Sequence, residues 1–556
     1  MASQAIELLL RGWLGRLLLA WSLALVAHAL LSDLGFNPTD DGFILAQSRR
    51  ILAGEIPHRD FITVRPVGSG LLHAFELVVG GDRTFLLSRL VYWIETATVS
   101  WCWVELGLGA TGLEPGLLVA LPLIALSMML SSHTFPPMAW HTVDGILLAS
   151  LGFFASRQPS FRSRLPGYVL LGASALCKQN FLALLPLGVI LNRDAGRVLA
   201  WLATLLPAVA YVTIMSALGA GPDMRQQLLA LTGLKQSGIT PYIGAPWWAG
   251  GAALGGLAAW FHRAGNGAKM ARGKAAAAWP LLGLVLVWLM VAALGRQVNA
   301  DRYLFLDRYS FVLLGCVCGF TVVSGIGMEV ESMIPVAVFA VGLAWCSGIS
   351  KGYQTPAHAS GPLATVLVMA SLSRLAPARG DLARRVWSLS ACAAALVILP
   401  CWWSARHDRI YNELAASALT ARLDGVLPGG VGIRTNPNTF DVLADLNQAI
   451  GRVGARQYAV VEDVAGWWAC SKQRNPLPAD WPQSFELCTG ELRRRFSASA
   501  LALRGRTTFI VQKVYMSSIS YSFDPVGDDN FYYGAVVWIR AHLKKTGETR
   551  FWDVYE

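Results

Sequence analysis

The stretch Leu17-Leu18-Leu19-Ala20-Trp21-Ser22-Leu23-Ala24-Leu25-Val26-Ala27-His28-Ala29-Leu30-Leu31 decides the fold class, together with Asp40-Asp41-Gly42-Phe43-Ile44 just beyond it. Arg11 and Arg16 precede the apolar run, and no small-residue cleavage site of the Ala-x-Ala kind ends it, so it reads as a first membrane helix and not as a removable signal. A carboxylate pair beside lipid is costly to desolvate and calls for a function.

Composition agrees with a polytopic membrane chain. Of 556 residues, 54% are hydrophobic and 15% charged, and the mean hydropathy is +0.45; a soluble domain carries about 25% charge. The net charge of +11 is spread in short basic clusters between apolar runs, which is the pattern of topology signals and excludes a nucleic-acid surface. Expected spans lie near 13–31, 85–108, 116–132, 143–156, 167–177, 181–192, 198–219, 247–261, 277–295, 309–326, 334–349, 362–373 and 387–404. The pair around Lys178 reads either as two half-helices or as one broken helix, so the count is about 11 to 13.

Arg157, Arg162 and Arg164, then Arg193 and Arg197, then Arg263, Lys269, Arg272 and Lys274, and finally Arg374, Arg379, Arg384 and Arg385 fall in alternate loops. The positive-inside rule makes those loops cytoplasmic. Asp40, Asp41 and the tail then face outwards, which requires an odd number of spans. The fold expected is a polytopic α-helical membrane domain, residues 1–404, followed by a soluble extracytoplasmic α/β domain, residues 405–556.

Within outer loop 32–84, residues 41–53 and 67–79 have the pattern of helices lying in the interface. In the tail, Arg406–Leu423 and Phe440–Arg452 read as helices; Gly430–Arg434, Tyr458–Val461 and Thr507–Val511 read as strands. Seven of the nine cysteines lie in or beside apolar segments as small core residues. Cys470 and Cys488 fall in the polar tail and form a possible disulfide there.

The order membrane helix, Asp40-Asp41-Gly42-Phe43, Arg49-Arg50-Ile51-Leu52-Ala53-Gly54-Glu55-Ile56-Pro57, His58-Arg59-Asp60-Phe61, Arg65-Pro66 resembles the first outer loop of GT-C glycosyltransferases. Protein mannosyltransferases and aminoarabinose transferases are members of that superfamily. Gly167–Leu187, with Cys177-Lys178-Gln179-Asn180 at its centre, is similar to the family's apolar segment interrupted by a lysine. The resemblance covers roughly residues 10–200. It implies an integral membrane enzyme that takes a monosaccharide from a polyprenyl-phosphate donor and passes it to a hydroxyl of a glycan, lipid or protein acceptor. The place implied is the outer face of a bacterial inner membrane, with the tail in the periplasm. It makes a first-loop aspartate, Asp40 or Asp41, the general base. Where the family often has Lys-Pro-Pro at the end of this loop, the chain has Arg65-Pro66-Val67, which keeps the charge and changes the residue.

The chemistry asks for the same groups. An acceptor hydroxyl must lose a proton as it attacks, and the leaving phosphate needs fixed positive charge. Asp40 and Asp41 offer the base, although the same residues also suit a helix N-terminus. Arg65, Lys178, Arg302 and Arg308 are the candidate phosphate ligands, the last two from the near-repeat Asp301-Arg302-Tyr303 and Asp307-Arg308-Tyr309, which also suits two structural ion pairs. His58, His133, His141 and Tyr303 are candidate sugar or acceptor contacts, with Tyr309 nearby.

No cofactor is expected and a divalent cation is not favoured. His133 and His141 stand eight apart across two prolines, a poor spacing for a metal with Asp144. Asp524–Asn530 suits a polar turn better than a Ca²⁺ loop. Trp467, Trp468, Trp481, Tyr532 and Tyr533 suit a carbohydrate platform or a domain core. The rival readings are a secondary transporter, which would show repeats and midplane charges, and a glycan polymerase or ligase of another membrane fold.

Overall fold

The first apolar run forms helix α1 (Trp13–Leu31). The computed structural model describes residues 12–112, 117–132, 136–230, 238–244, 246–264, 308–325, 333–349, 355–375, 381–408, 410–461, 464–483, 486–513 and 534–556. Ala20, Ala24, Ala27 and Leu31 recur at helical spacing and are buried, while Leu18, Leu25, Val26 and Leu30 on the other side are exposed. The small residues let α1 lie close against a later helix, where Trp21 Nε1 donates to Thr98 Oγ1 at 3.0 Å and Arg16 pairs with Glu105 at 2.5 Å.

Three short helices follow: α2 (Phe43–Leu52), α3 (Gly68–Leu72) and α4 (Ala74–Val79). The second amphipathic stretch is thus broken in two at His73. Then come α5 (Thr84–Thr111), α6 (Leu117–Ser131), α7 (His141–Ala155) and α8 (Phe161–Cys177). At Lys178 the backbone turns extended (φ −157°, ψ 131°), a 3₁₀ turn covers Gln179–Ala183, and α9 (Leu184–Leu191) resumes the helix. Two half-helices therefore meet at Lys178.

The bundle continues with α10 (Val198–Ala217), α11 (Gly221–Leu229), α12 (Thr240–Gly244), α13 (Pro246–Ala264), α14 (Arg308–Gly325), α15 (Met333–Gly348), α16 (Ser360–Leu375) and α17 (Asp381–Asp408). Each described apolar span is a helix whose ends fall within six residues of its expected place; the span near 277–295 lies outside the described residues. Among the described helices, α1 and α10 are both long and apolar enough to cross a membrane.

The helix expected over Arg406–Leu423 is not formed: α17 ends at Asp408. Asn412 takes a left-handed conformation (φ 46°), which turns the chain and leaves Tyr411 pointing back at the first loop. The expected strand 430–434 shrinks to β2 (Arg434–Thr435), antiparallel to β1 (Ala421–Arg422), because Gly432 (φ 90°) bends the backbone. Beyond lie α18 (Pro437–Val453), β3 (Gln457–Val461), α19 (Ala465–Cys470), α20 (Gly490–Ala502), β4 (Thr507–Gln512), α21 (Gly534–His542), β5 (Lys545–Glu548) and β6 (Trp552–Tyr555). The sheet order is β3-β4-β6-β5, parallel between β3 and β4 and antiparallel elsewhere.

Alternation along the strands gives the sheet two buried faces. Tyr458, Val460, Ile510 and Trp552 face one way; Ala459, Val461, Phe509 and Val511 face the other. The first loop contributes to both faces, Phe36, Leu45 and Ala46 to the former and Ile62 and Val64 to the latter. The loop is thus held between the helical bundle and the tail. The possible disulfide is not formed: neither cysteine is in a disulfide, since Cys470 packs on the first face of the sheet and Cys488 on the second.

Candidate functional site

The aspartate pair sits in a turn built by its own neighbours. Asn37 accepts from the Thr39 N–H at 3.0 Å through its side chain. The Asn37 N–H donates to Asp41 Oδ2 at 2.8 Å, and its Nδ2 donates to Asp40 Oδ2 at 3.3 Å. Gly42 then adopts φ 92°, and a Cβ there would meet the Gly466 Cα at 2.8 Å, so the turn into α2 needs glycine.

The two carboxylates differ in environment. Asp41 lies 3.4 Å from Arg89 Nη2, and Arg89 also donates to the carbonyls of Ser32 at 2.7 Å and Gly35 at 2.6 Å. Burial raises the Asp41 pKa against the opposing pull of Arg89 and the Asn37 N–H. Asp40 accepts from Tyr411 O–H at 2.7 Å. Burial pushes its pKa up to about 6, with the charge of Asp41 adding and the Tyr411 hydrogen bond opposing. A carboxylate of that basicity, buried yet ionised near neutrality, suits a general base. Glu413 pins the segment that carries Tyr411, accepting from the Phe36 N–H at 3.3 Å and from Thr435 Oγ1 at 2.7 Å. A cavity of about 20 Å³, lined by Asp41, Arg89, Pro136, Pro137, Arg406 and Tyr411 among others, opens beside the pair; that is room for a water molecule.

A second cluster is cationic. Arg65, Lys178 and His358 lie within electrostatic reach of His141. Lys178 Nζ donates to Thr142 Oγ1 at 3.2 Å, and His141 Nδ1 is buried with no hydrogen-bond partner. The Arg65 guanidinium lies 5.9 Å from the Phe43 ring centroid, and Phe43 is two residues from Asp41. The structure therefore brings Arg65, Lys178 and His141 together, with Arg65 against Phe43 of the first loop. Arg65 is not a free phosphate ligand, however; it pairs with the buried Glu486 of the tail.

Other expected contacts fall elsewhere. His58 Nε2 meets Tyr211 O–H at 2.7 Å and Nδ1 meets Gln227 at 3.2 Å, so both ring nitrogens are spent on holding the loop to α10 and α11. Burial pushes its pKa down to about 4, a neutral structural peg and not a sugar contact. Trp467, Trp468 and Trp481 are buried and belong to the core, not to an exposed platform. Tyr309 donates to the Leu130 carbonyl at 2.8 Å. His133, Arg302, Tyr303, Tyr532, Tyr533 and the 524–530 turn lie outside the described residues, and Arg308 opens α14.

A third cluster has no counterpart in the sequence reading. His73 Nδ1 meets Glu76 Oε1 at 2.5 Å and Nε2 meets Asp144 Oδ1 at 3.0 Å, with Glu95 of α5 alongside. All four are buried. Glu95 and Arg89 on α5 and His73-x-x-Glu76 on the surface helices carried a signal: an ionisable residue inside an apolar run is functional by default. That rule applies to them as it does to Asp40 and Asp41.

No protein-family model matches the chain, and neither a curated protein nor a solved structure does.

Proposed function

We propose that the chain is an integral membrane glycosyltransferase of GT-C type, moving a monosaccharide from a polyprenyl-phosphate donor to a hydroxyl acceptor at the outer face of the membrane. The observation that carries this reading is a buried carboxylate, Asp40, in the same first loop as the half-buried Arg65, whose charge in turn acts on the buried Lys178. In this reading Asp40 takes the proton of the acceptor hydroxyl, whose oxygen bonds to the anomeric carbon. The bond from that carbon to the phosphate oxygen breaks, and polyprenyl phosphate leaves towards Lys178 and the imidazole of His141. Asp41, held by Arg89 and the Asn37 N–H, fixes the turn that presents Asp40. Arg65 acts once Glu486 yields it to a phosphate, a stronger bidentate partner.

The apolar faces support the membrane setting. Leu199, Leu202, Leu206 and Val209 of α10 and Leu389, Leu396 and Leu399 of α17 are exposed large side chains, and a soluble surface would rarely leave such patches. The test is transfer of radiolabelled sugar by the purified full chain from a panel of polyprenyl-phosphate donors, beside Asp40→Asn and Asp41→Asn. Transfer lost in Asp40→Asn upholds the assignment. Full transfer in both single variants and the double removes it, and counterflow of a solute in proteoliposomes without covalent transfer replaces it with a carrier.

A further inference from the structure

We infer that His73, Glu95 and Asp144 form a binding site for a divalent transition-metal ion of the Zn²⁺ class, with Glu76 orienting the histidine. The inference is independent of the glycosyl-transfer reading. One ligand atom from each of His73, Glu95 and Asp144 lies within 4.8 Å of the other two. Ligands bonded at about 2.1 Å around a tetrahedral ion stand about 3.4 Å apart, so rotation of the carboxylates closes the site without moving the helices.

Four features point to an ion and not to a mere ionic knot. First, His73 is held as a metal-ligating histidine is held: Glu76 takes the Nδ1 side at 2.5 Å, which orients the ring and directs Nε2 towards Asp144. A cation there replaces the proton shared between Nε2 and Asp144 Oδ1. Second, Asp144 Oδ2 and Glu76 Oε2 are fully buried with no hydrogen-bond partner, and buried carboxylate oxygens are rarely left so. Third, Glu76, Glu95 and Asp144 set three buried carboxyl groups around one imidazole, and Glu95 and Asp144 share a hydrogen bond. A divalent ion takes the place of the proton between those two carboxyl groups and offsets their charge. Fourth, the donors come from three separate elements, the α3–α4 junction, α5 and α7, so that an ion clamps the surface helices to the bundle. One imidazole with carboxylates selects a borderline ion over Ca²⁺, which takes six to eight oxygens.

The test uses the full chain purified in detergent, stripped with a chelator and titrated with Zn²⁺ alone. A single equivalent retained after gel filtration, and a rise in melting temperature on its addition, are expected. His73→Ala and Asp144→Asn lose both, while Glu76→Gln keeps the ion with affinity weakened about 10- to 100-fold. His58→Gln, a histidine outside the cluster, binds as the wild type does. Should His73→Ala fail to fold, Co²⁺ substitution of the wild-type chain decides: visible d–d bands of a nitrogen–oxygen site, displaced by Zn²⁺, uphold the proposal. Wild-type chain that retains no Zn²⁺ and shows no Co²⁺ bands overturns it, as does binding that survives in His73→Ala and Asp144→Asn. Glycosyl transfer is not the readout, so either proposal can fail without the other.

Discussion

Tyr411 reaches across the chain to donate a 2.7 Å hydrogen bond to Asp40. The residue just past the last bundle helix thus sets the basicity of a residue just past the first. Because that bond opposes the rise in the Asp40 pKa, Tyr411→Phe raises it further. The acid limb of sugar transfer, expected near pH 6 in the wild type, moves to higher pH in Tyr411→Phe while the plateau is retained. A pH profile of transfer checks it; an unmoved limb separates Tyr411 from the base.

Asp40 and His58 bend the stability curve in opposite directions. Asp40 has a folded pKa of about 6 against an ordinary 3.8, so the folded state binds more protons and stability falls as pH rises from about 4 to 6. Two units correspond to about 3 kcal/mol. Asp40→Asn is therefore expected to raise the melting temperature at pH 7 and to give no gain below pH 4. Differential scanning measurements across that range decide.

His58 has a folded pKa of about 4 against an ordinary 6.5. Its contribution is complete above pH 6.5 and is lost as pH falls towards 4, since the unfolded imidazole protonates first. His58→Gln should flatten the decline in stability over that window. An unchanged slope in the variant would show that the ring does not titrate as its burial requires.

Arg50 makes bonds of 2.6 and 2.8 Å to the two oxygens of Asp480, and both side chains are buried. Removing one partner leaves a buried uncompensated charge, which costs about 3–5 kcal/mol. Arg50→Ala is expected to lose that much, and the double change Arg50→Met with Asp480→Leu to lose far less. Unfolding of the full chain in detergent with graded denaturant measures both.

Lys178→Met, in a chain that folds, is expected to lower kcat for transfer by about 10²- to 10³-fold, as loss of a preorganised charge at a leaving group does. Arg65→Lys should act mainly on KM, because Arg65 already shares its charge with Glu486. A Lys178→Met variant with unchanged kcat would remove the lysine from the proposed phosphate site.

The helices are legible in the chain because an apolar run of helical length has few other ways to satisfy its backbone. The break at Lys178 is legible for the same reason, since a lysine cannot continue such a run without a partner. The turn at Asn412 is not, because the pull of Asp40 on Tyr411 is a contact across the fold that local pattern does not carry. Nor is the engagement of Arg65 by Glu486, or the meeting of His73 with Asp144, each separated by a long stretch of sequence. Local periodicity thus places elements, while the chemistry depends on which distant side chains the packing presents to one another.

The enclosure of the first loop between bundle and tail has a consequence for biosynthesis. Arg50 waits for Asp480, 430 positions later, and Phe36 and Ile62 wait for strands that follow the whole helical bundle in the sequence. A nascent chain halted before the sheet is complete carries the aspartates without the layer that covers them. Under the proposed glycosyl transfer, the chain is therefore inert until the sheet has formed, so a stop placed between β3 and β6 should yield an inserted but inactive protein.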